Sequence, residues 1–234
     1  MWRERAIRRI RDVSSPSNNG LAQCIEAAAS FHGSDSVFRR ITQAKDTETI
    51  LDYFAEIRFA MIFARLGFEL EFEPCGMKGP DLRISRDSCS AHVEVKRFRP
   101  SPDDENPAYS AEVEPLVCCP MLLPYGNPEK NIKVIEDKLA EKFKQLNADT
   151  AVVAFWSDRL AVEELEFQSA ILHTRANSEA GIQQIPAGLL FALFGSDWLN
   201  ACGQQLYSES LQTLSEPFAT WAEELRNGKA SVPP

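Results

Sequence analysis

Two carboxylates and a lysine stand at spacings that could place them around one phosphate. Gly79-Pro80-Asp81-Leu82-Arg83-Ile84 is followed, after a short turn, by His92-Val93-Glu94-Val95-Lys96-Arg97. Side chains on a strand alternate between faces, so Glu94 and Lys96 share one face and Val93 and Val95 the other. Arg86 to Ser90 suit a hairpin turn. Pairing Leu82 with Val93 and Ile84 with Ala91 collects the apolar residues on one face and sets Asp81 opposite Glu94. Directly opposed Cβ atoms lie about 4.5 to 5.5 Å apart, within the span of one cation. A slip of one residue would send the apolar set to the other face, so the same pattern that fixes the fold fixes this pairing. Hydrolysis of a phosphodiester needs charge neutralised on the phosphate oxygens and a water activated for attack. A hard cation held by carboxylate oxygens supplies both, and an ammonium beside it can orient the water and stabilise developing negative charge. Glu-x-Lys alone also describes an exposed strand face of alternating charge; Gly-Pro-Asp at hairpin distance turns the reading towards a site.

The elements that must hold these residues are legible around them. Thr47 to Leu66 has the pattern of a long helix ended by Gly67 in the place of a left-handed C′ residue. Glu56 lies on it among Phe59, Ala60 and Phe63, with Phe54, Ile57 and Met61 on a second apolar stripe, so the helix is apolar nearly all round. A carboxylate there must find a partner, because burying it unpaired is costly. The choices are a metal shared with Asp81 and Glu94, a salt bridge to an arginine such as Arg58 or Arg65, or an edge position facing water. Short β-like runs follow at Phe68 to Phe72, Asp81 to Ser85 and Ala91 to Phe98. Pro100 to Pro128 holds seven of the fourteen prolines and the acidic Asp103, Asp104 and Glu105, which excludes a regular element.

Glu129 to Leu146 reads as an amphipathic helix, with Ile132, Ile135, Leu139, Phe143 and Leu146 at helical spacing. Thr150 to Trp156 is a continuous apolar run suited to a strand covered on both faces. A helix over Val162 to His173, an apolar run from Leu189 to Phe194 and a helix around Leu211 to Leu225 complete the chain. Helix, three strands, helix, strand, helix, strand, helix implies an α/β fold: a mixed sheet with helices on both sides. Residues 1–45, which start with Arg3, Arg5, Arg8, Arg9 and Arg11, read as a helical accessory segment. Residues 46–200 form the core domain, and 201–234 a C-terminal helical extension.

The chain has 234 residues, 44% hydrophobic and 25% charged, the composition of one globular domain. No apolar run approaches the roughly 20 residues of a membrane span, and the arginine-rich start lacks the apolar stretch of a secretory signal, so a cytoplasmic location is expected. Six cysteines without a CxxC pair read as buried thiols, not a zinc site. A formal charge of −9 argues against coating nucleic acid nonspecifically, though not against a focused basic groove.

Glu56 on its helix, Gly79-Pro80-Asp81, and Glu94-Val95-Lys96 together resemble the PD-(D/E)XK, or restriction-endonuclease-like, nuclease superfamily. That resemblance covers about half the chain and implies a three-layer α/β/α sandwich around a mixed sheet, here with extra N- and C-terminal helices. It implies that Asp81 and Glu94 hold Mg²⁺, for which Mn²⁺ would substitute, with the Val95 carbonyl and Glu56 as further ligands. Lys96 would be catalytic and Glu56 an auxiliary acid. The helix after the third strand approaches nucleic acid in similar enzymes. Lys138, Lys142 and Gln145, which share one side of it, are therefore candidate phosphate contacts, with Lys78 and Arg97 beside the motif. Lys78, Arg83, Arg97 and Arg99 add local positive charge, and His92 is expected to stand behind Glu94. The implied function is a Mg²⁺-dependent nuclease acting on DNA, an endonuclease of defence, repair or mobile-element processing, compatible with a homodimer. RNA would suit the same metal site. The alternative is a catalytically silent nuclease-like fold that serves as a nucleic-acid or protein binding module; the acidic charge favours it, and the intact Asp81, Glu94 and Lys96 set speaks against it.

Overall fold

The computed structural model describes residues 1–13, 19–76, 79–98, 128–145, 151–158, 164–182, 188–195, 205–210, 216 and 218–226. Its elements run α1 (Trp2–Val13), α2 (Asn19–Ala28), α3 (Ser34–Gln43), α4 (Thr47–Arg65), β1 (Glu69–Phe72), β2 (Leu82–Arg86), β3 (Cys89–Phe98), α5 (Pro128–Gln145), β4 (Ala151–Asp158), α6 (Glu164–Glu179), β5 (Gly188–Gly195), β6 (Gln205–Ser210) and α7 (Phe218–Arg226). The fold is α/β, with a six-stranded sheet in the order β1-β2-β3-β4-β5-β6. β1, β2 and β3 are antiparallel neighbours, β4 and β5 run parallel to β3, and β6 closes the row antiparallel to β5.

Local chemistry sets the ends of α4. The Asp46 side chain accepts from the Thr49 N–H at 2.8 Å, satisfying one of the donors every helix start leaves open. At the other end Gly67 takes φ +81°. Gly67 N–H donates to the Ala64 carbonyl and Phe68 N–H to the Phe63 carbonyl, while the Phe63 and Phe68 rings meet edge to face. These are the bonds and the apolar contact of a Schellman stop. The nearly all-round apolar surface of α4 is explained by its neighbours, since it packs on α1, α2 and α3 and also on β1, β2 and β3. Ala6 and Ile10 of α1 are buried in the same cluster as Phe54, Phe59 and Phe63 of α4, so the N-terminal helices share the main core and are no appendage.

The expected hairpin register holds, with Leu82 opposite Val93 and Ile84 opposite Ala91. Its turn is tighter than Arg86 to Ser90, because Arg86 still pairs with Cys89. Asp87 and Ser88 are left as a two-residue loop, both with positive φ, the backbone that matches the strand twist. Leu82, Ile84, Ala91, Val93 and Val95 belong to the core cluster that holds α4. Glu94 meets Lys142 of α5, and Phe98 lies edge to face on Phe167 of α6 at 5.5 Å. The two faces of β3 therefore address different helices.

Two expectations about the second half change. Gln205–Ser210 is a strand, which a stretch with only Leu206 and Tyr207 as apolar residues did not announce, and the last helix starts at Phe218 instead of near Leu211. The proline-rich expectation lies outside the described residues up to Pro128, which opens α5, where the missing N–H costs nothing. No helix among the described residues is long and apolar enough to cross a membrane.

The loop before α3 depends on one glycine. Phe72 N–H donates to the His32 carbonyl at 2.8 Å, which brings β1 against Gly33, whose φ is +75°. A Cβ at Gly33 would stand 2.4 Å from the Phe72 carbonyl oxygen, whereas one at Gly67 would meet nothing within 4 Å. Gly67→Ala should cost about 1 kcal/mol, the strain of a left-handed alanine. Gly33→Ala should cost roughly 2 kcal/mol or more, because backbone must also move. Urea unfolding midpoints of the two variants test the order; equal losses would mean that the β1 contact yields freely.

Candidate active site

β2 and β3 part company where the chemistry gathers. β2 pairs with β3 only as far as Leu82 opposite Val93, while β3 runs on along β4 from Glu94 to Phe98. Asp81 stands one residue before β2, and its carboxylate Oδ2 accepts the Val95 N–H at 2.8 Å. The side chain thus takes over the ladder bond that the departed strand would have supplied. N–H and C=O of one strand residue point to the same side, so the Val95 carbonyl also faces the Asp81 side. The Asp81 carbonyl accepts from Glu73 N–H, tying this corner to the end of β1.

Glu94 is 1% exposed. Its Oε2 accepts from Lys142 Nζ at 2.6 Å, and its Oε1 is buried without a hydrogen-bond partner. Burial pushes the Glu94 carboxyl up to about 7, the Asp81 charge adds to the rise, and Lys142 opposes it. Asp81 is raised for the same first reason, held back by Lys142, by the Val95 N–H and by Arg40. Two carboxylates share a dry corner in which neither ionises easily. Lys96 is half-buried, and its ammonium is lowered, first by burial and then by the like charge of Lys138. Asp81 and Glu94 therefore share one corner, and Lys96 stands two residues beyond Glu94 on the same strand face, within reach of the charges of Lys138, Asp52, Lys142 and Glu141.

Glu56 reaches a different partner. Arg40 of α3 grips it with two hydrogen bonds, 3.1 and 2.5 Å, and the same guanidinium pairs with Glu73 at 2.9 Å and lies over the Tyr53 ring. Neither Arg58 nor Arg65 fills the role foreseen for an arginine. Among the described residues no group of three or more His, Cys, Asp and Glu side chains is arranged to hold a metal ion, and both Glu56 carboxylate oxygens are engaged by Arg40. Asp81 is close enough to be felt: burial first, then the Asp81 charge, push Glu56 up to about 8 against the pull of Arg40. Separation by sixteen residues and a helix break left no sequence signal for the Arg40 pair.

Two of the candidate nucleic-acid contacts are corrected. Arg97 is buried and forms ion pairs with Glu48 and Asp52 of α4, so it ties the sheet to the helix and cannot meet a phosphate from there. The signal was present, because Arg97 shares the buried face with Val93 and Val95, where a charge must be paired. Lys142 is buried on Glu94, not displayed on a solvated face. It stands seven residues after Ile135 and three after Leu139, both buried, which places it on the apolar stripe of α5. Lys138 stays at the rim, bonded to Glu141 at 2.6 Å. Gln145 ends α5, and Lys78 lies outside the described residues. His92 is half-buried, lowered first by desolvation and then by Arg83.

The pair Asp81 and Glu94 fits a hard divalent cation on two observations. Each carboxylate feels the charge of the other until a cation joins them, and the buried Glu94 Oε1 lacks the partner that buried oxygens normally have. No protein-family model, no curated protein and no solved structure matches the chain.

The raised Glu56 carboxyl gives stability a pH dependence. Its ordinary value is 4.5 and its value in the fold about 8, so between these the native state holds a proton that the unfolded chain has released. Stability should therefore fall as pH rises through that window and level off above it. The charges facing Glu56 are Arg40, Asp81 and Glu73. Glu56→Gln, fixed in the uncharged form, should flatten the fall in urea midpoint between about pH 5 and about pH 8.5. Equal slopes in both proteins would mean that Arg40 keeps Glu56 ionised throughout.

Proposed function

We propose that the chain is a Mg²⁺-dependent nuclease of the restriction-endonuclease-like type, with DNA as its substrate. The observation that carries the reading is the pair Asp81 and Glu94, in which a buried carboxylate oxygen lacks a partner next to a second carboxylate, with the half-buried Lys96 two residues along the same face of β3. The succession α4, three antiparallel strands, α5 and a parallel β4 supports a restriction-endonuclease-like sandwich.

Asp81 and Glu94 would hold the cation, with the Val95 carbonyl facing the same side. A cation held there would supply charge neutralisation at a phosphate oxygen and a water of lowered pKa. The chain's own residues do the rest. Asp81 is fixed by the Val95 N–H and cannot swing away. Lys96, lowered by burial and by Lys138, stands two residues beyond Glu94 on the same face of β3. It can orient the attacking water through its N–H donors and counter the charge that builds on the phosphate. Lys138 at the rim adds attraction for the polyanion.

Purified protein incubated with plasmid, linear and single-stranded DNA and with RNA, each with Mg²⁺, Mn²⁺ or EDTA, tests activity and substrate together. Metal-dependent cleavage of DNA is expected; binding without cleavage of any substrate would favour a silent binding module. Lys96→Ala should lower the cleavage rate by roughly 10²-fold or more with nucleic-acid affinity nearly retained at fixed salt. A folded variant that cleaves at the wild-type rate would remove Lys96 from the chemistry. Mn²⁺ should raise the melting temperature of the wild type by mass action, and Asp81→Asn should abolish that shift; equal shifts would place the cation elsewhere.

A further inference from the structure

The sequence set Lys142 on the surface, yet the fold spends it inside. A lysine on the buried stripe of α5 costs desolvation that only close carboxylates repay, and its ammonium sits 2.6 Å from Glu94 Oε2. Asp81 feels the same charge, which is the largest of the influences holding its carboxyl down. One ammonium therefore serves both carboxylates, as a shared cation would. Glu94 Oε1 remains, buried and without a hydrogen bond.

We propose that Lys142 is an internal counter-ion that keeps the Asp81 and Glu94 site folded while no metal is bound, and that a divalent cation and the Lys142 ammonium compete for these two carboxylates. The inference rests on the metal-site reading above. Its physical basis is charge balance. Two neighbouring carboxylates without a cation would repel and loosen the notch, and an ammonium on a flexible four-carbon stem neutralises them. A divalent ion brings two charges and accepts several oxygens, so it replaces the ammonium where the two overlap. Lys142 is then a positioning residue: it holds the ligands together in advance and lowers the affinity for the metal by its competition. Its nearness to Lys96, whose ammonium it helps to lower, means that displacement also changes the charge that Lys96 sees.

The test compares wild type with Lys142→Met, which keeps the length and apolar stem and removes the charge. Without metal the variant should melt at a lower temperature. With Mn²⁺ it should gain more in melting temperature than wild type, and calorimetry should give a Kd for Mn²⁺ that is about tenfold lower or better, the direction expected when a like charge is removed at contact distance. If wild type binds Mn²⁺ and the variant binds it no more tightly, the counter-ion role falls and the metal site stands. If neither folded protein binds Mn²⁺ or Mg²⁺, the metal site itself falls and the exchange with it. Should Lys142→Met fail to fold, reductive methylation of wild-type lysines, read by mass spectrometry, decides in its place. Lys142 should be protected in EDTA and labelled several-fold faster with saturating Mg²⁺, and labelling unchanged by Mg²⁺ would overturn the proposal.

Discussion

A carboxylate buried on β3, with a second, partly buried one beside it just before β2 begins, sets the terms for everything around the pair. The hairpin register buries Leu82, Ile84, Ala91 and Val93 against α4, and the bond from the Val95 N–H holds Asp81 beside Glu94 just beyond the last strand pair. Their charge must be met from other elements. α5 supplies Lys142 at 2.6 Å from Glu94, and β3 supplies the Val95 N–H at 2.8 Å from Asp81. The cost of buried charge is thus distributed over α5 and both strands, and the same distribution fixes where a cation could enter.

A second layer of charge surrounds the first. Arg40 joins Glu56 of α4 to Glu73 at the end of β1, so α3, α4 and the sheet meet in one ion-paired corner beside Asp81. Arg97 makes a corresponding tie between β3 and the first turns of α4 through Glu48 and Asp52. These arginines suit the role because a guanidinium remains charged when buried and offers several donors in a rigid plane. They grip one side of α4, on which Glu48, Asp52 and Glu56 recur every fourth residue. The helix thereby becomes a rigid wall for the notch, which a site that must keep carboxylates within a fraction of an ångström requires.

Much of the sheet's first half could be read from the sequence because strand alternation and turn chemistry are local. Val93 and Val95 against Glu94 and Lys96 fixed the faces, the apolar match of Leu82 and Ile84 fixed the register, and Gly67 marked the end of α4. β6 escaped notice since an edge strand of six residues can be mostly polar, and the place of α1 in the main core could not be inferred from its arginine-rich surface alone.

Which side chains could carry chemistry was thus written in the residues themselves: a one-residue step decides a strand's face, and Asp81, Glu94 and Lys96 fall together by that rule. Which charges neutralise one another was decided only by tertiary structure. Lys142 lies 48 residues from Glu94 and Arg40 lies 16 from Glu56, and no local periodicity links such pairs. The helical stripe through Ile135, Leu139 and Lys142, and the strand face through Val93, Val95 and Arg97, carried the information that these cations are buried. What they are buried against depends on how α5 and α4 settle on opposite faces of β3, because a buried charge takes whatever opposite charge the packing brings within reach.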